Sequence, residues 1–259
     1  MPELADSIAV IAAYRFVDID DAPALRERLF NSAEAASLKG TVLVASEGIN
    51  LSLAGPEAVL RGWLEALGED VCFADPDLKW HQANQVPFAR LRVELKLKLK
   101  LKLKREIIHM NQPTVRPHAG RAPTVDALTL ARGLQTGRCD AGRPLVMLDA
   151  RNAFEVDAGT GAFEGALDWR LSKFSDFPAA LSQHAAELQG KTVVSYGTGG
   201  IRCEKAALWM TQVGVADVLQ LDGGILRYFE QTQAAPRWHG HCAEFDEREA
   251  VDTALAEAP

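Results

Sequence analysis

Nowhere does the sequence run for the ~18 apolar residues that a membrane-spanning helix needs, so no transmembrane helix is expected. Its start, MPELADSIAV, has acidic residues where a secretory leader carries Lys or Arg, and a cytoplasmic location is expected. Cysteine is scarce. Cys72, Cys139, Cys203 and Cys242 lie far apart, with no CxxC pair and no Cys/His pairing at metal spacing, which argues against a disulfide framework or a zinc site and leaves reduced thiols. No GxGxxG fingerprint and no evident two-His-one-carboxylate spacing occurs, so the residues name no cofactor and no metal. A surplus of positive charge is also missing: the formal charge of -7 argues against indiscriminate binding of polyanions, though not against a local basic stripe. Internal repeats at solenoid periods are absent, and nothing signals an oligomeric state.

What is present is a globular composition, 47% hydrophobic and 24% charged, in 259 residues, enough for two cores of roughly 100 residues each. The first segments read as β-α-β-β-α-β. IAVIAAYRFVDI is extended, and DDAPALRERLFNSAEAASL carries a helix-start signal at Asp20, Asp21 and Pro23. TVLVASEGINLSLAG reads as two strands about a turn at Glu47, Gly48, Ile49 and Asn50. PEAVLRGWLEALG puts Leu60, Trp63, Leu64 and Leu67 on one helical face, and VCFADPDLKWHQ is extended. That order suggests a ferredoxin-like or acylphosphatase-like α+β domain over residues 1–110. Near its end Leu and Lys alternate strictly from Leu95 to Lys104, as in one strand with an apolar face and a cationic face. Lys96, Lys98, Lys100, Lys102 and Lys104 are either a solvated surface or a stripe that tracks phosphates.

Residues 111–123, rich in Pro, Arg, Gly and His, read as a linker. From Thr124 to residue 235 strands alternate with helices, which implies a parallel sheet covered on both faces: VDALTLARGLQTG is helical, PLVMLDAR a buried strand, and Gly159, Gly161 and Gly165 mark a loop. FSDFPAALSQHAAELQG is helical, KTVVSYG a second strand, CEKAALWMTQVG a helix, and VLQLDGGILRYFEQT a strand, a glycine turn and a last helix. Residues 236–259 read as a C-terminal tail. Its HGHC cluster, His239 to Cys242, lacks a fourth ligand for a metal.

The strongest local signal is VVSYGTGGIRCEKA, a strand entering a glycine turn and then a helix. Ligands of open parallel sheets bind at the carboxyl ends of strands, and here that end meets a helix N-terminus. Thr198, Gly199, Gly200 and Ile201 are expected to form an anion nest with their N–H groups, closed by the guanidinium of Arg202.

A strand, a cysteine, four residues, an arginine and a helix make the active loop of rhodanese-type sulfurtransferases. TGGIRCEKA resembles the version in the rhodanese-related tRNA uridine 5-hydroxylases. The resemblance spans nearly the whole chain: GTVLVASEGINLSLAG and KREI in the first part, then LDARNAFEV, FEGALDWR, FSDFP, LDGGILRYFE, HGHC and FDER in order. It implies a rhodanese-like parallel α/β second domain and hydroxylation of the wobble uridine of tRNA, with molecular oxygen as co-substrate and tRNA as partner. Where the family's loop begins with cysteine this chain has Gly197, which keeps the cradle and removes the nucleophile. The Leu-Lys alternation is longer than the family's basic strand, and DAGTGAFEGA carries two additional residues near the loop. Cys203 is the nearest candidate to replace the thiol, though a residue in the first helical turn points beside the nest. Asp149 and Arg151 are expected to pin loops through ion pairs that include Glu155. Three functions stay open: the hydroxylase, a sulfurtransferase, and a catalytically silent module that binds an anion or RNA.

Overall fold

β1 (Ile8–Phe16) lies in the interior of a five-stranded sheet because its alternate residues Ala9, Ile11 and Ala13 face a helical layer. The computed structural model describes residues 7–68, 70, 73, 76–95, 106–159, 161–244 and 248–258, in two units, 1–107 and 108–259. In the first unit β1 is followed by α1 (Ala22–Ala35), β2 (Lys39–Ala45), β3 (Gly48–Pro56), α2 (Glu57–Gly68), β4 (Asp77–Ala83) and β5 (Leu91–Leu95). Asp21 caps α1, its carboxylate accepting the N–H of Ala24 at 2.9 Å, as the start signal predicts. The sheet order is β4-β1-β3-β2-β5, antiparallel except for the parallel β2–β5 edge. Leu25 and Leu29 of α1 and Leu60, Trp63 and Leu67 of α2 bury against it, so both helices share one core with the sheet. The expected acylphosphatase-like order is present, with β5 as an added parallel edge strand. Lys96, Lys98, Lys100, Lys102 and Lys104 lie outside the described residues, as does Cys72.

The turn expected at Glu47–Asn50 is shorter than its sequence suggests. Ile49 and Asn50 belong to β3, Asn50 pairing with Tyr14 and Leu43, so only Ser46 and Glu47 turn. Gly48, at φ 147°, is the residue that needs the freedom: a Cβ there would stand 2.0 Å from the carbonyl oxygen of Arg15. Glu47 accepts the N–H of Ile107 at 2.6 Å, which ties the end of the unit to this turn.

The second unit runs β6 (Thr124–Val125), α3 (Ala127–Thr136), β7 (Leu145–Asp149), α4 (Ala153–Gly159), β8 (Ala162–Phe163), β9 (Leu167–Asp168), α5 (Phe177–His184), β10 (Thr192–Tyr196), α6 (Ile201–Gln212), β11 (Val218–Leu221), α7 (Gly224–Thr232), β12 (Trp238–His239), β13 (Cys242–Ala243) and β14 (Ala250–Val251). β6-β11-β10-β7-β9 form a parallel sheet, and central β10 is buried throughout. Its continuous apolar and small residues are those of a strand covered on both faces.

Four expectations are corrected here. Residues 111–123 are no free linker, since Val115 and Ala122 join Met110 in the core of the second unit. Apolar residues spaced too irregularly to form an element still find burial. The tail after residue 236 is also part of this fold: β12 pairs with β8, β13 with β14, and Cys242, Ala243 and Val251 are buried. The loop expected around Gly159, Gly161 and Gly165 is preceded by α4, which ends at Gly159, and the helix expected from FSDFP to LQG is α-helical only at Phe177–His184.

Candidate functional site

β7 and β10 end side by side, Asp149 opposite Tyr196, and the N–H of Ala150 donates to the carbonyl of Tyr196 at 2.8 Å. The turns that leave these two strands are therefore neighbours at the carboxyl edge of the sheet. From β10 the chain passes through Gly197–Gly200 into α6. Gly200 has a left-handed φ of 96° and caps the helix through its backbone, no side chain serving as cap. The leading N–H groups of α6 thus sit at a helix N-terminus with positive potential, an arrangement that favours an anion.

The start of α7 fixes the shape of this loop. Ile225 N–H donates to the carbonyl of Gly197 at 2.9 Å and Leu226 N–H to that of Thr198 at 3.2 Å. Such close approach of two backbones requires Gly224, where a Cβ would stand 2.5 Å from Gly197 O, 2.6 Å from Thr198 O and 2.7 Å from Gly200 N. With two carbonyls held from behind, the loop keeps its turn without help from the residue at 197.

Arg202 departs from expectation. Instead of closing the nest with its fork, it donates Nη2 to Glu155 Oε1 at 2.6 Å and Nη1 to Glu155 Oε2, in a pair almost wholly removed from water. A buried guanidinium needs a compensating charge, and α4 supplies it. Burial works against the charge, but the carboxylate of Glu155 outweighs it and raises the Arg202 pKa, so the side chain stays cationic. The second oxygen of Glu155 also accepts the N–H of Asn152 at 2.9 Å, which locks the start of α4. Glu155 was expected to join the ion pairs of Asp149 and Arg151; it pairs with Arg202 instead, while Asp149 and Arg151 pair with each other.

Arg151, fully buried, donates Nε to both oxygens of Asp149 at 3.0 and 3.1 Å, and Nη2 to Asp149 Oδ2 and Gly161 O, each at 2.6 Å. That pins the β7 turn to the glycine segment at Gly161. Its guanidinium also lies 5.4 Å from the Trp238 ring. Tyr196 is buried beside it, and burial followed by the charge of Asp149 raises its phenol pKa well above the ordinary value, keeping it neutral.

At position 197 there is room for a side chain. A Cβ there would meet Cys203 Sγ at 3.4 Å, Arg151 Cγ at 3.8 Å and Arg202 Nε at 3.8 Å, all ordinary contacts, with no left-handed φ. Cys203 is completely buried in the first turn of α6, beside the nest as its position in the helix dictates. Cys242 lies beside Thr198 and is also wholly buried. Burial first, then Glu244, raises its thiol pKa, so it is a protonated, unreactive sulfur. Among the described residues no group of three His, Cys, Asp or Glu side chains could hold a metal ion, and no helix is long and apolar enough to cross a membrane.

Fold and site define a two-unit α/β protein: an acylphosphatase-like α+β unit, then a parallel-sheet unit with a strand–glycine turn–helix loop at its carboxyl edge. Residues 8–107 match the UPF0176 acylphosphatase like domain. The chain is 55% identical to a tRNA uridine(34) hydroxylase of Bordetella avium over 96% of its length and 98% of that protein's. It is 53% identical to one of Variovorax paradoxus over 93% of this chain and 88% of that protein. The chain belongs to the tRNA uridine(34) hydroxylase family.

Proposed function

We propose that this protein modifies tRNA by hydroxylating the wobble uridine at C5, in the cytoplasm, with molecular oxygen as co-substrate. The observation that carries the reading is the full-length likeness to tRNA uridine(34) hydroxylases, which includes both units and the loop between β10 and α6. In this reading the N–H groups of Thr198 to Ile201 hold an anionic group of the RNA, and the Arg202–Glu155 pair keeps the start of α6 rigid beneath it. Lys96, Lys98, Lys100, Lys102 and Lys104, read from the sequence alone, supply positive charge for the phosphate backbone.

A second reading has its own observation. Gly197 stands where the family resemblance calls for cysteine, and neither Cys203 nor Cys242 is exposed. A module that binds tRNA without turnover fits that feature. A sulfurtransferase does not, because it needs an accessible thiol in the loop.

Expression in cells that lack their own wobble-uridine hydroxylases, with total tRNA read by mass spectrometry for 5-hydroxyuridine derivatives, separates the two. Restoration by the chain as it stands supports hydroxylation without a loop thiol. Restoration by Gly197→Cys alone assigns this chain to the silent module, and failure of both variants removes the hydroxylase reading.

A further inference from the structure

β2 and β5 run parallel at one end of the first unit's sheet, in a register that sets Gly40 beside Leu91 and Thr41 beside Arg92. Val42, Val44, Leu91 and Val93 join the core beneath the helices, so the residues that alternate with them face the other way. Thr41 and Arg92 therefore share the face of the sheet turned away from α1 and α2. Lys39 precedes Thr41 on that face. Arg90 stands immediately before β5, where its carbonyl accepts the N–H of Gly40 at 3.1 Å, which sets it beside Lys39. All three cations are exposed, and the half-buried Thr41 lies among them.

Among the described residues no carboxylate pairs with Lys39, Arg90 or Arg92. Exposed cations elsewhere are answered: Arg28 by Asp70, Arg61 by Glu57, Arg143 by Asp217 and Arg170 by Asp157. Glu94, the next residue of this face along β5, stands level with Leu43 and bounds the cluster on that side. In a chain of formal charge -7 carboxylates are plentiful, so three neighbouring like charges left unanswered are a local cost. An anion bound across them removes it. The layout suits a long anion: residues on one face of a strand recur every ~6.6 Å and strands lie about 4.8 Å apart, so the three side chains spread over successive phosphates. An open sheet face has no concave wall to enclose a compact anion.

We propose that Lys39, Arg90 and Arg92 are a docking surface of the first unit for backbone phosphates of the tRNA substrate, an inference that rests on the tRNA reading above. Lys and Arg on phosphates fix position and carry no sequence information. The cluster therefore contributes affinity and orientation, and the wobble base is read elsewhere.

The test measures binding of an unmodified tRNA with uridine at the wobble position across a salt series. It compares the full chain, a variant with Lys39→Gln, Arg90→Gln and Arg92→Gln, and a charge-matched control with Arg28→Gln, Arg61→Gln and Arg143→Gln. Each phosphate contact contributes ~0.7–0.9 to the slope of log affinity against log salt, so the first variant is expected to lower that slope by about 2–3 and the control to keep it. The weakening is expected to be equal for a tRNA with cytidine at the wobble position. An unchanged slope in the first variant, an equal drop in the control, or a weakening confined to one wobble base overturns the proposal while the tRNA reading stands. If the unaltered protein binds no tRNA, both fall.

Discussion

Glu155 and Arg202 meet in a two-point ion pair across 47 residues of sequence, with side-chain exposures of 0% and 7%. This links the helix after β7 to the helix after β10, and with it the two turns at the edge of the sheet. Glu155→Gln leaves a buried guanidinium without its counter-charge, and breaking such a pair from one side costs on the order of 3–5 kcal/mol. Denaturant unfolding should show a loss of that size. A midpoint unchanged from the parent would mean that Arg202 finds another partner.

Gly197→Cys should fold with little change in stability, because its Cβ meets no atom closer than 3.4 Å and no left-handed φ opposes it. The closest neighbour is the sulfur of Cys203, which brings the two thiols near the range of a disulfide. Under oxidising conditions this variant is expected to lose two free thiols by mass spectrometry, and Gly197→Cys combined with Cys203→Ser to lose none. Any activity gained by Gly197→Cys should accordingly depend on added reductant.

Two glycines near the loop should respond in opposite ways. Gly224→Ala places a methyl within 2.7 Å of three backbone atoms at a φ of 69°, and overpacking of this kind costs about 1–3 kcal/mol before the left-handed strain is added. Gly199→Ala meets nothing within 4 Å and should stay within about 0.5 kcal/mol of the parent. Thermal melts of the pair measure the difference directly.

Asp126 caps α3, accepting the N–H of Thr129 at 2.8 Å, and that bond, followed by one from the Thr129 side chain, lowers its pKa below the ordinary 3.8. A depressed folded-state value means that the contribution is present above the unfolded pKa and lost as pH falls through the folded one. Asp126→Ala should cost about 0.5–2 kcal/mol at neutral pH. The gap between variant and parent should narrow below pH ~4, where the unfolded chain takes up the proton first. Unfolding at pH 7 and at pH 3 checks the sign.

Much of this was legible from residue order. The apolar run IAVIAAY, the Asp21 cap and the buried run VVSY each name an element by a local rule, and each element is where that rule puts it. The glycine loop was visible for the same reason, as strand, turn and helix in immediate succession. What escaped were features made by distant partners. α4 was hidden by Gly159 and Gly161, whose close packing under His241 of the last segment requires glycine for tertiary reasons and not for a loop. Arg202 was assigned to the nest because sequence shows its donors and not the carboxylate that claims them. Segments 111–123 and 236–259 lack periodicity because they bury isolated residues, Val115 or Cys242, in a core built by other elements.

Gly224, distant along the chain from the position it packs against, has a consequence for heredity. Since the backbone of α7 shapes the loop, residue 197 can change between glycine and cysteine without a change in the fold. Codons for these two amino acids can differ by one base. A lineage carrying this scaffold can therefore set its sulfur aside and regain it by a single nucleotide exchange, with no structural debt accumulated in between.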